Sequence, residues 1–271
     1  MSNFYFRSSL LGLLLAGSLS PIASAEAAQV QVTLSNIGGA NGTAFSRFFL
    51  AFHDGGFDPF NAGTAASSAI KAIAEAGNGS GLSAELSAYQ ADAIGHTVAA
   101  TTNAFGPGIY LPGAVGSVAL DLDPVKNRYL SYFAMVVPSN DRFFGNDSPT
   151  EVELFDANGV FKATTFEETG GAVWDAGTEL DGLTGAAFVV GSNGSDSPAQ
   201  NGTIALNTDF SFYSGQATPA GYNFTNLPSA GTPLLRVNVS TVPVPAAAWL
   251  FGSALAGLAA ARRRAGCVAA G

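Results

Sequence analysis

Residues 129–144 read YLSYFAMVVPSNDRFF. The first nine, Tyr129 to Val137, are a near-continuous apolar run of strand length, the pattern of a strand covered on both faces. Pro138 cannot donate to a ladder and Asn140 favours a turn, so the strand ends there and leaves Asp141 at its tip. Runs that alternate apolar and polar residues surround this central strand. Val30 to Leu34 alternates, as do Ser117 to Leu122 and Leu234 to Val239, with Leu235, Val237 and Val239 on one side. Ser46 to His53 reads as a strand with Phe48, Leu50 and Phe52 on one face, and Val152 to Phe155 as another. Asp156-Ala157-Asn158-Gly159 is a hairpin turn leading to Val160 to Thr164. Pro107-Gly108 and Pro112-Gly113 read as turns, and Asn78 to Gly81 as a flexible link. Ser83 to Ala104 is Ala-rich and takes no clear assignment. One helix stands out, Ala65 to Ala76. Ile70 and Ile73 lie on one face, Thr64 is the candidate N-cap and Gly77 the candidate C′ residue. The expected fold is all-β: an antiparallel β-sandwich with one short side helix.

Beyond Asp141, a second acidic piece follows, with Asp175 and Glu179 four residues apart and Gly177 between them. The glycine permits a tight turn that aims both carboxylates at one point. Three carboxylates on two loops suit a hard cation such as Ca²⁺, which takes oxygen ligands in a flexible cage. Three solvated acids on loops account for the same pattern. Asp121 with Asp123 has the same two readings, cation site or solvated strand end. Asp156 with Asn158 is foremost a turn signal. His53 beside Asp54 invites a catalytic reading, but no G-x-S-x-G nucleophile accompanies it. A histidine closing a strand end by hydrogen bonding is the preferred account.

The chain has 271 residues and few charges, 11% of the total, with 33 glycines. That texture belongs to a loop-rich β protein. Between Val30 and Ser240, 19 acids face 7 bases, a net of −12. Nucleic acid is therefore not an expected partner, whereas divalent cations and basic surfaces are. The single cysteine, Cys267, excludes an internal disulfide framework.

Both ends read as addresses. Residues 1–25 carry Arg7, an apolar stretch from Leu10 to Leu19 and the small-x-small pattern Ala23-Ser24-Ala25, the marks of a secretory signal peptide. At the other end, residues 242–264 hold a Val-Pro-Val-Pro motif, an apolar segment over 246–261 and the triplet Arg262-Arg263-Arg264. The segment is slightly short for a membrane span, and the arginines extend it and face the cytoplasm. This tail resembles the PEP-CTERM sorting signal of Gram-negative bacteria. The resemblance implies an exosortase-type processing enzyme and a transient membrane anchor.

The body of the chain, residues 30–240, resembles the spondin N-terminal (F-spondin) domain family. The matching stretches are HDGGFDPFNAG (His53 to Gly63), Ala74-Glu75-Ala76-Gly77, Ser131 with Met135, PSNDRFF (Pro138 to Phe144), DAGTE (Asp175 to Glu179) and Pro233 to Val239. The resemblance implies a C2-like sandwich with Ca²⁺ at one end, its carboxylates falling on Asp141, Asp175 and Glu179. Here Glu179 stands where the animal members have Asp, and Arg142 where many have an aromatic. These features together imply an exported, non-enzymatic cell-surface or extracellular-matrix protein. Its expected partners are an extracellular polysaccharide or a surface protein, in a biofilm setting. The other reading is a secreted polysaccharide hydrolase using the carboxylates near Asp175 as acid and base.

Overall fold

A computed structural model describes residues 27–242. The leader and the sorting tail read from the sequence lie outside them. Thirteen strands and two helices follow in the order β1 (Ala28–Asn36), β2 (Ala44–Phe45), β3 (Phe48–His53), α1 (Ser68–Ala76), α2 (Ser80–Tyr89), β4 (Ile94–Val98), β5 (Thr102–Phe105), β6 (Ile109–Leu122), β7 (Tyr129–Val137), β8 (Arg142–Gly145), β9 (Val152–Glu153), β10 (Thr164–Thr169), β11 (Trp174–Asp175), β12 (Ala205–Leu206) and β13 (Pro233–Thr241). Every pairing is antiparallel. One layer runs β10-β13-β1-β6, with β5 added to β6. The other holds β4-β3-β7-β8-β11-β12, with β9 on β7. The two-residue β2 pairs with both β6 and β7 and joins the layers into one curled sheet. The all-β sandwich expected from the sequence is the fold observed.

The alternating runs of β1 and β13 place Val30, Val32, Leu34, Leu235, Val237 and Val239 in the interlayer core, where they meet Leu50, Phe52, Leu130, Tyr132 and Val136 from the other layer. Strand β7 is buried along nearly its whole length, as its apolar run requires. Its second face, with that of β3, is covered by the two helices. Phe49, Ala51, Phe133 and Phe143 pack there against Ile70, Ile73, Leu82 and Leu86.

Three local expectations are corrected. Helix α1 starts at Ser68 with Ser67 as its cap, the Ser67 hydroxyl accepting from the Ile70 N–H, so Thr64 lies outside it. Gly77 at φ +61 ends it as expected. Ser80 to Tyr89, left between a flexible link and an unassigned stretch, is a second helix. Its apolar residues are sparse, and Leu82 and Leu86 alone dock it. Pro112-Gly113 lies inside the 14-residue β6, where the partner β5 shifts register. Proline is tolerated at such an irregularity because no ladder bond is lost there.

The sandwich has two distinct ends. The start of β1, the end of β6 and the end of β13 share one end, where Val30 faces both Leu120 and Thr241. The end of β1 and the end of β7 share the other. There the buried Asn36 amide donates to the Thr43 and Tyr110 carbonyls, and Ala44 faces Val137.

Candidate metal centre

Strand β7 delivers the first carboxylate. After Val137 the chain turns through Pro138 and Ser139, and the Ser139 hydroxyl accepts from the Arg142 N–H at 3.1 Å, which fixes the turn. Asp141 is fully buried. Its Oδ2 accepts three hydrogen bonds, from the Thr178 N–H at 2.7 Å, the Glu179 N–H at 2.9 Å and the Thr178 hydroxyl at 3.0 Å. Its Oδ1 is enclosed and accepts none. A buried carboxylate oxygen without a donor is costly, of order 1–3 kcal/mol or more for a charged group.

The turn after β11 supplies those donors. Gly177 sits at φ +68, and a β-carbon there would lie 2.7 Å from both the N and the O of Thr203. Only glycine fits the turn and the close passage of the 200s loop together. Asp175 is drawn back onto this turn. Its Oδ1 accepts from the Gly177 N–H at 2.8 Å and its Oδ2 from the Asn207 amide at 2.9 Å.

The third carboxylate brought to the pair is Asp181, not Glu179. One oxygen each of Asp141, Asp175 and Asp181 lie within 4.8 Å of one another, and among the described residues this is the one such group of three. Glu179 serves the centre through its backbone N–H, while burial pushes its own carboxyl upward beside Ser197. Asp181 Oδ2 accepts from Arg142 Nη2 at 2.6 Å and from the Asn207 amide at 2.7 Å, so Asn207 bridges Asp175 and Asp181. Asn140 holds the Asp181 loop from below. Its Oδ1 accepts from the Gly182 N–H at 3.1 Å and the Tyr213 hydroxyl at 3.0 Å, and its amide donates to the Thr184 carbonyl at 2.8 Å.

Arg142 has no exposed surface. Its guanidinium carbon lies 4.5 Å from the Phe210 ring centroid, a cation–π contact, and Nη2 meets Asp181 while Nε and Nη1 have no partner. The cation noted beside Asp141 in the sequence therefore points into the centre's wall and neutralises one carboxylate. With all three acids ionised, the net charge of the centre is −2, which one divalent cation cancels. The electrostatics carry the same mark. Burial first, and then the Asp175 charge, push the Asp141 carboxyl up to about 6. The donor set is hard oxygen throughout. With an enclosed, unpaired Asp141 Oδ1 it suits a hard divalent cation.

The sequence missed Asp181, Asn207 and Tyr213. Asp181 lies six residues past Asp175, at the start of what reads as a separate apolar segment. Asn207 and Tyr213 come from a loop with no periodicity, so only the fold brings them in.

The other sequence candidates are structural. His53 is fully buried, and burial lowers its imidazole to about 4. Its Nδ1 accepts from the Gly55 N–H, so Nε2 carries the proton and donates to Ser131 Oγ at 3.0 Å. In that tautomer it is no base for Ser131. Asp123 and Asp156 each cap their own turns, accepting from backbone N–H groups two to four residues ahead.

The Spondin_N family model matches residues 39–219, a span that contains all three carboxylates and Arg142. A comparison with curated proteins finds no match.

Proposed function

The chain belongs to the spondin N-terminal domain family, and on that premise we propose that it is an exported, non-enzymatic, Ca²⁺-binding protein of the cell surface or extracellular matrix. The family is not known as an enzyme family. The sandwich presents the cation end to a polysaccharide or a surface protein. The leader over 1–25 takes the chain across the inner membrane of a Gram-negative cell. The tail over 242–264 is handled by an exosortase-type enzyme after serving as a transient anchor.

The single observation that carries the metal reading is the enclosed, unpartnered Asp141 Oδ1 beside Asp175 and Asp181. Asp141, Asp175 and Asp181 hold the ion, and Glu179 orients Asp141 through its N–H. Bound Ca²⁺ compensates the burial, and screens the Asp175 charge, that together raise the Asp141 carboxyl. It ties the β7 turn to the 175–181 loop, and its role is structural. Mg²⁺ binds less well, because a cage built from two loops does not hold a tight octahedron.

Calorimetric melting of the metal-free protein under a Ca²⁺ titration tests this. At one hundred times Kd the ion adds about 2.7 kcal/mol, or about 5–10 °C for a domain of this size. Asp141→Asn and Asp175→Asn respond much less. A wild-type melting temperature indifferent to millimolar Ca²⁺ would sink the reading.

A further inference from the structure

A second feature lies beside the metal centre and uses none of its carboxylates. Met135 and Val137, on the outward side of β7, form a small apolar cluster with Ala44, separate from the main core, and Ile109, Ala187 and Phe188 pack on it half-buried. The cluster does not close. It leaves a hollow of about 230 Å³ between β7, the end of α1, the 107–109 turn and the 187–188 segment.

Three observations set this hollow apart from a packing defect. Glu75, in the last turn of α1, lines it. Its Oε1 is enclosed without a hydrogen-bond donor, it forms an ion pair with Lys71 Nζ at 3.5 Å, and the Glu179 carboxyl is near enough to feel its charge. Arg47 stands exposed at the rim and makes no ion pair among the described residues, in a domain with a large excess of acid. Phe188 forms one wall with its backbone at φ +65, a conformation that bulky L residues rarely adopt, and its ring meets Phe105 edge-on at 5.5 Å. Backbone strain of this kind persists where surrounding contacts hold it, and it gathers at ligand clamps.

The volume decides the class of occupant. Small-molecule and cofactor sites run from about 300 to 1,000 Å³, so the hollow takes one side chain, not a cofactor. Met135 in its floor is adaptable in shape. The charge at the rim decides the rest, because Arg47 is exposed, makes no ion pair among the described residues and calls for an anion.

We infer that this hollow is a docking pocket for a peptide segment of a protein partner. A branched apolar side chain enters the hollow, and an adjacent carboxylate pairs with Arg47. The inference concerns who the partner is and does not require the cation. It holds whether or not Asp141 binds Ca²⁺.

The test is saturation-transfer NMR on the full chain with two probes, acetyl-Leu-Asp-amide and acetyl-Leu-Lys-amide, with Ca²⁺ and with EDTA. The Asp probe is expected to show the stronger transfer, through its leucine methyls. Arg47→Glu, on the surface and free of side-chain partners, is expected to reverse the preference by several-fold. Ala187→Phe, which fills the hollow, is expected to abolish transfer from both probes. No transfer from either probe overturns the proposal, as does a probe preference that Arg47→Glu leaves unchanged. A concentration-dependent dimer in sedimentation that Arg47→Glu dissolves assigns the hollow to a second copy of this chain, and overturns the proposal as well. Because the preference is read within each metal condition, a failed Ca²⁺ titration and a failed peptide titration are separate results.

Discussion

Burial raises the Asp141 carboxyl to about 6 and lowers the His53 imidazole to about 4. The two shifts act on stability in opposite directions. Between roughly pH 4 and 6 the folded state keeps a proton on Asp141 that the unfolded chain releases. That contribution is full at low pH and is lost as pH rises through 6. His53 stays neutral in the fold while the unfolded imidazole takes up a proton below about 6.5, so its contribution is lost as pH falls from there toward 4. The two windows overlap, so in the metal-free protein each shift offsets part of the other. Asp141→Asn removes one side of the balance. Its melting temperature in EDTA is expected to fall more steeply than the wild type's between pH 6.5 and 4, and parallel curves would contradict this. Ca²⁺ needs the ionised carboxylate, so its stabilisation of the wild type is expected to be large at pH 7.5 and small at pH 5.

Single turns carry the site and the side layer. Gly177 has the positive φ and a backbone neighbour 2.7 Å from where a β-carbon would stand. Gly177→Ala is expected to cost about 2 kcal/mol or more, from the left-handed backbone and the clash together. It also moves the Thr178 and Glu179 N–H donors off Asp141, so the Ca²⁺ shift in melting temperature shrinks with it. A variant that melted lower with an unchanged Ca²⁺ shift would separate turn from site. Ser67→Ala removes the cap of α1 and is expected to cost about 1 kcal/mol, with no effect on Ca²⁺ response. The strands that alternate cleanly, β1 and β13, were legible because one face is core and the other solvent. So was β7, since a near-continuous apolar run of strand length, closed by Pro138, reads as a strand covered on both faces. Helix α2 was not, because Leu82 and Leu86 are its only buried residues and its surface is held by docking on β3 rather than by its own periodicity. Asp141 was legible at a strand tip and Asp175, with Glu179, on a Gly turn. Asp181 was not, because its membership rests on Arg142 and Asn207, residues 39 and 26 positions away.

Across the whole molecule, the curled sheet sets the metal centre and the hollow at one end and the chain's exit after β13 at the other. Strand β13 lies between β1, with seven registered pairs, and β10, with six. Its last residue, Thr241, faces Val30 near the beginning of β1. If the chain is held beyond Thr241 and a partner pulls at the Asp141 end, the tension runs along β13 and both ladders are sheared at once, all their bonds sharing the load. A pull between Gln29 and Thr241 instead peels β1 from β13 one pair at a time. Optical-tweezer traces are therefore expected to give a higher rupture force for handles at Ala187 and Thr241 than for handles at Gln29 and Thr241. Equal forces would rule this out. The position of one strand thus makes the domain stiff along the axis between its two ends, and easy to unzip across that axis.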